Sequence, residues 1–172
     1  MKYYSTNGKA PIADLNKAVV KGLAEDRGLY MPEEIYKLPK VFFDDISGMK
    51  FQDIAYCVAS NFFGDDVDED ALHDIVYDTL SFDCPVVKVT DNIYALELFH
   101  GPTLAFKDVG ARFMARLLGY FLRQSGSISC DSVATDGKGN GMVNVLVATS
   151  GDTGSAVANG FLGVEGIHVY VL

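Results

Sequence analysis

The sequence predicts an α/β fold: an open, mostly parallel sheet with flanking helices, preceded by a small, mainly helical N-terminal segment. Three observations carry this. Val143 to Ala148 and Ile167 to Leu172 are short apolar runs of the buried-strand type. A glycine turn and a short helical stretch, Ser155 to Leu162, lie between them, and strand, helix, strand at this spacing is a βαβ unit with parallel strands. Residues 1 to about 80 instead show helical periodicity, and the character of the chain changes at Pro85.

Taken in order, Lys2 to Ser5 reads as a short strand. Ile12, Leu15, Ala18, Val19 and Leu23 recur at helical spacing, with Pro11 near the helix start. Leu29 to Lys40 holds Pro32 and Pro39 and reads as loop with at most one short turn. Phe51 to Phe62 is a helix ended by Gly64, and Asp68 to Ser81 is another, with Ala71, Leu72, Ile75, Val76 and Leu80 on its apolar face. Val86 to Val89 and Ile93 to Leu98 are strands joined at Thr90-Asp-Asn92, a hairpin signal. Asp108 to Arg123 is a helix with Phe113, Met114, Leu117, Leu118 and Phe121 on its apolar side. Residues 124–141 are rich in Ser, Gly and Asp and read as a long exposed loop. Two divisions follow: a mainly helical segment over 1–84 and an incomplete α/β domain over 85–172. The chain stops at an apolar strand of the parallel type, so the expectation is a portion of a longer protein.

Composition limits the function. The chain has 172 residues, 49% hydrophobic and 22% charged, which is ordinary for a globular protein. Its net charge of −9 makes it a poor candidate for nucleic acid, whose phosphates need clustered Lys and Arg. No apolar run reaches the ~20 residues of a membrane span, and the N-terminus lacks the apolar core of a signal peptide. The three cysteines, Cys57, Cys84 and Cys130, form no CxxC or Cys/His cluster. That argues against disulfides and structural zinc and for a cytoplasmic protein with reduced thiols. The acidic run Asp65 to Asp70 lacks the order of a calcium loop and reads as a solvated turn and helix start.

Two stretches carry chemistry. Phe99-His-Gly-Pro-Thr-Leu-Ala-Phe-Lys-Asp-Val-Gly110 places Lys107, beside Phe106, where a loop enters a helix. A charged lysine at a helix N-terminus costs free energy, and an uncharged amine is what attacks a carbonyl to form a Schiff base. The competing reading is an ordinary solvated lysine. The second stretch, Ala148-Thr-Ser-Gly-Asp-Thr-Gly-Ser155, lies at the carboxyl end of a strand, where α/β sheets bind ligands. Its glycines permit a tight turn, and N–H groups at the helix start suit a carboxylate or phosphate. It matches neither a Walker A loop nor a Rossmann fingerprint, and a plain turn with a serine cap competes. His100 reads either as a base or ligand or as a histidine bonded to loop backbone. Arg112, Arg116 and Arg123 have the spacing of an exposed helix face. No Gly-x-Ser-x-Gly elbow is present, which argues against a hydrolase triad.

Together the two stretches resemble threonine synthases, pyridoxal-phosphate enzymes of the β-family (fold type II). The likeness is close in Leu98-Phe-His-Gly-Pro-Thr-Leu-Ala-Phe-Lys-Asp108 and in Ala148-Thr-Ser-Gly-Asp-Thr-Gly-Ser-Ala156. Lys2-Tyr-Tyr-Ser-Thr6 and Arg27-Gly-Leu-Tyr-Met-Pro32 resemble the amino-terminal region of the same family. The resemblance spans the whole chain, and family members are more than twice as long.

The resemblance implies a lyase of threonine biosynthesis that converts O-phospho-L-homoserine and water to L-threonine and phosphate. Lys107 would bind pyridoxal 5′-phosphate covalently and then move protons at Cα and Cβ. Phe106 and Asp152 would lie beside the cofactor; Asp152 stands where many fold type II enzymes have Asn. Thr149, Ser150, Gly151, Thr153, Gly154 and Ser155 would surround the substrate carboxylate. No metal is implied. The family's cofactor-phosphate loop has no match here, since Gly137-Lys-Gly-Asn-Gly141 precedes its strand rather than following it. That loop is expected beyond residue 172, with the 172 residues alone inactive. A phospholyase degrading related phosphorylated amino acids, or a non-catalytic anion-binding domain, are the alternatives.

Overall fold

The computed structural model describes residues 1–124, 134–135, 141–149 and 151–172. They fall into two units, Met1–Tyr77 and Asp78–Leu172.

In the first unit, β1 (Tyr3–Ser5) pairs antiparallel with β2 (Tyr30–Pro32), with Tyr3 opposite Pro32 and Ser5 opposite Tyr30. The stretch read as loop from Leu29 to Lys40 therefore holds a strand. Three residues ending in proline are too short to show an alternating pattern; what makes them a strand is a turn that sequence periodicity cannot see. The Asp26 carboxylate organises that turn. It accepts from Ser5 Oγ at 2.5 Å, from the backbone N–H groups of Lys9 and Ala10 at 2.8 and 3.0 Å, and from Gly28 N–H at 3.0 Å. These bonds, the Ser5 hydroxyl first, hold the Asp26 carboxyl down from the ordinary 3.8 to about 2. Ser5 is 2% exposed, and a Cβ at Gly28 would collide with its Oγ.

Helix α1 (Leu15–Lys21) starts later than its apolar spacing suggested. Asp14 caps it by accepting from Lys17 N–H at 2.8 Å. Residue 13 is held extended by bridging to Tyr3. Helix α2 (Lys40–Asp45) and a 3-10 turn (Ile46–Gly48) follow, neither visible in the periodicity. Helix α3 (Phe51–Phe63) ends at Gly64 as expected. Helix α4 (Glu69–Thr79) buries Leu72, Ile75 and Val76. The acidic run acts locally: Asp66 accepts from the Met1 amino group at 2.7 Å, and Asp68 accepts from Ala71 N–H at 3.2 Å at the start of α4.

In the second unit, β3 (Val86–Thr90) and β4 (Ile93–Leu96) form the expected antiparallel hairpin. Helix α5 (Lys107–Gln124) buries Ala115, Leu117, Leu118 and Phe121, while Met114 is exposed. A three-stranded sheet follows in the order β5 (Ala134–Thr135), β6 (Gly141–Val147), β7 (Ile167–Val171). Strand β5 falls inside the predicted loop 124–141 and runs antiparallel to β6; the remaining interior of that stretch lies outside the described residues. Strands β6 and β7 are parallel, from Val143 opposite Ile167 to Val147 opposite Val171, with α6 (Asp152–Phe161) as the crossover.

The fold is therefore α/β, but its parallel character is confined to one pair. The other three described strand pairs are antiparallel. The reason is connectivity. A parallel pair needs a crossover, which only α6 supplies among the described strands, whereas the short β3–β4 link forces an antiparallel return. Nor is β6 covered on both faces: Val147 is buried, while Leu146 is exposed. Helices α5 and α6 pack closely, because a Cβ on Gly160 would lie 3.0 Å from the backbone carbonyl carbon of Ala111. No described helix is long and apolar enough to cross a membrane.

Two outcomes test the turn in the first unit. Gly28→Ala should destabilise the chain by about 1–3 kcal/mol, the usual cost of overpacking, read as a lower urea midpoint. Asp26→Asn should destabilise at neutral pH. A carboxyl depressed from 3.8 to about 2 contributes stability above the higher value and loses it as the pH falls through the lower. The gap between wild type and Asp26→Asn in urea titrations should therefore narrow across that window and be closed below it.

Candidate functional site

Lys107 is the first residue of α5, reached through the loop Phe99 to Phe106. This loop is not relaxed. Leu104 adopts φ 59°, an uncommon state for a side chain with a Cβ, and its side chain is exposed. What holds the loop is Asp108, which is fully buried at 0% exposure. Its Oδ2 accepts from Thr103 N–H at 2.9 Å and its Oδ1 accepts from Thr103 Oγ–H at 2.6 Å. Its own N–H donates to the Ala105 carbonyl at 3.0 Å. Gly101 is pressed against it: a Cβ there would lie 2.5 Å from Oδ2. Sequence reading took Asp108 only as the start of a helix; an acidic residue in a first helical turn is the one signal it offered.

The second stretch leaves β6 and starts α6. Gly151 occupies the cap position, so the serine cap considered from sequence gives way to a residue with no side chain. The first-turn N–H groups of α6 lack partners within the helix, as in any α-helix. Asp152 is exposed in that first turn, and Ser155 N–H donates to the Gly151 carbonyl at 3.3 Å. Gly154 is buried against Thr149, where a Cβ would lie 3.1 Å from Cγ2. Ser150 lies outside the described residues, as do 137–140 of the glycine-rich stretch that ends at Gly141.

The structure brings the two stretches together. The Lys107 ammonium donates to Thr153 Oγ, and its Nζ lies 5.5 Å from the centroid of the Phe106 ring. Lys107, Phe106 and Thr153 therefore share one site, with Gly151 and Asp152 beside Thr153 in the chain. Among the described residues, His100 meets the Glu97 carboxylate, its Nε2 at 2.7 Å, rather than backbone. Nor is Arg112 a plain surface charge. Its guanidinium donates to the carbonyls of Thr79 and Asp78 at 3.0 and 2.6 Å and to Ser81 Oγ at 3.0 Å, closing the end of α4. Burial first, and then the neighbouring Arg116, pull it below the ordinary guanidinium range. Arg116 does pair with an acidic side chain, Asp78.

A cavity of about 620 Å³ lies within the first unit, lined mainly by apolar side chains such as Phe42, Met49, Tyr56 and Leu72. None of the predicted site residues borders it. Chemistry outweighs volume here. A primary amine held by a hydroxyl, beside a helix start capped only by glycine, pairs a carbonyl-directed nucleophile with donors for an anion.

Residues 2–80 match the family model described as Threonine synthase N terminus. A threonine synthase from Serratia marcescens is 36% identical over 172 residues, covering 100% of this chain and 36% of that protein. The chain thus spans about a third of the length of the curated relatives it matches. Among solved structures, a PLP-bound threonine synthase from Brucella melitensis superposes with a TM-score of 0.86 at 34% identity, covering 99% of this chain and 35% of that one. Threonine synthase from yeast gives 0.85 at 32% identity, again covering 99% of this chain and 35% of that one. In sequence and fold alike, the chain is similar to threonine synthases over nearly its whole length, and its residues 2–80 match the model of their N terminus.

Proposed function

We propose that this chain supplies the lysine-bearing, carboxylate-binding part of a PLP-dependent lyase that makes L-threonine and phosphate from O-phospho-L-homoserine and water. The observation that carries the reading is the bond between Lys107 Nζ and Thr153 Oγ, which joins the two sequence motifs in one site. The residues fit the cofactor chemically. Lys107 is a part-exposed primary amine able to bond an aldehyde carbon, and it sits beside an aromatic ring and a helix start capped by glycine. Lys107, Phe106 and Asp152 would hold the cofactor; Thr149, Ser150, Gly151, Thr153, Gly154 and Ser155 would surround the substrate carboxylate.

Bound pyridoxal phosphate supplies the electron sink that acidifies the substrate's carbons. The chain's own residues do the rest. The Lys107 amine takes and returns protons at Cα and Cβ, as a positioned base and acid. Thr153 Oγ accepts from that amine and fixes where it rests. First-turn N–H groups of α6 orient the carboxylate, and the helix end favours its negative charge. Phosphate leaves from Cγ, and water adds at Cβ.

Trapping tests this. The chain is incubated with millimolar pyridoxal phosphate, reduced with borohydride, and mapped by peptide mass spectrometry. Lys107 should be modified roughly tenfold faster than exposed lysines such as Lys88, as befits a held and partly desolvated amine. Lys107→Ala should abolish that fast phase and leave the slow one. Modification of Lys107 no faster than Lys88 would overturn the assignment.

A further inference from the structure

The Lys107 amine hangs on the first residue of a helix, so its reach depends on how that first turn and the entering loop are fixed. Within the loop the strain lies at Leu104, whose φ of 59° has to be held by surrounding contacts. The contact that holds it is the Asp108 carboxylate, one residue after the lysine. It is 0% exposed, and both its oxygens are taken by Thr103. A carboxylate removed from water this completely is costly unless its acceptors are satisfied. Two donors from one residue satisfy it, and Arg112, one helical turn further on, adds favourable charge. Such a group is dearer than any apolar residue that could fill the same space. Its return is geometric: it ties residue 103 to residue 108 across the strained turn, with Gly101 stripped of a Cβ to let it in.

We propose that Asp108, through Thr103, is a positioning residue for Lys107: the clasp sets the loop so that the amine rests at Thr153. This rests on the assignment of Lys107 as the reactive lysine. Asp108 touches no reacting atom in this account; it acts on where the amine sits.

The trapping assay on the intact chain tests it, with Lys88 in the same molecule as reference and amide exchange at Thr103 as a second readout. Asp108→Asn replaces two charge-assisted bonds by neutral ones and Thr103→Val removes the hydroxyl bond, and each should slow Lys107 modification relative to Lys88 roughly tenfold, the effect of about one hydrogen bond to a charged group. Thr103→Ser keeps the hydroxyl and should retain the wild-type ratio. A buried carboxylate with only a structural role would lower the melting temperature in the variants and leave the Lys107 to Lys88 ratio alone; that result overturns the proposal. If Asp108→Asn does not fold, Thr103→Val against Thr103→Ser decides by the same ratio. If wild-type Lys107 shows no preference at all, the functional assignment fails first. The clasp is then judged on exchange alone: faster exchange at Thr103 in Asp108→Asn upholds it as a loop lock, and unchanged exchange overturns it too.

Discussion

The second unit depends on how closely α6 approaches α5. A helix that crosses from one parallel strand to the next has to lie on the sheet, and its second face then needs a partner. Here that partner is α5, and Gly160 lets the two backbones meet at Ala111 with no side chain between them. The contacts advance together along both helices. Lys107 meets Thr153 near their starts, and Ala111 meets Gly160 further on. Helix starts brought side by side put two sets of positive helix ends in one place. An amine carried by one helix then stands next to the glycine-capped first turn of the other, although 46 residues separate Lys107 from Thr153 in sequence.

Much of this was legible before any coordinates. The βαβ unit announced itself by two apolar runs of strand length with a glycine turn between them. The hairpin was readable from Thr90-Asp-Asn92, and the start of α5 fell one residue from its expected place. The two motifs that meet at Lys107 and Thr153 were both identified from residues alone. What sequence could not give were the features held by particular side-chain bonds. Strand β2 exists because Asp26 gathers donors from residues 5, 9, 10 and 28, a pattern with no period. His100 found Glu97 three residues earlier rather than a backbone group. Among the described residues the expected mostly parallel sheet reduced to one parallel pair, because the hairpin forms a sheet of its own and β5, which lies in the stretch read as loop, joins β6 antiparallel.

Asp108 is the instructive case. In sequence it is one of many acidic residues in an acidic chain, next to a lysine that draws the attention. In the structure it is, among the described residues, the one buried residue with a charged side chain. Buried charge is the informative exception to the ordinary partition of residues. The first of the two family stretches makes sense on this basis. Gly101, Thr103 and Asp108 form one local arrangement next to Lys107: glycine leaves the space, threonine supplies the donors and aspartate accepts them.

The same row of α5 extends the argument one turn further. Asp108 and Arg112 are four apart and attract each other, and Arg112 in turn closes the carbonyl end of α4 through Thr79 and Asp78. A lysine could not do this. Three acceptors, two of them main-chain carbonyls, are met at once by a planar fork with several N–H groups, whereas an ammonium offers a compact point charge. Within the second unit the polar path therefore runs from Thr103 to Asp108, on to Arg112, and to the carbonyls of Thr79 and Asp78. A lysine at the start of a helix is electrostatically misplaced. The acidic residue that follows it offsets the positive helix end, and the arginine one turn later keeps that acidic residue compensated after burial. The buried carboxylate and the arginine that closes the helix end are thus two positions on one face of α5, directly after the lysine that opens it.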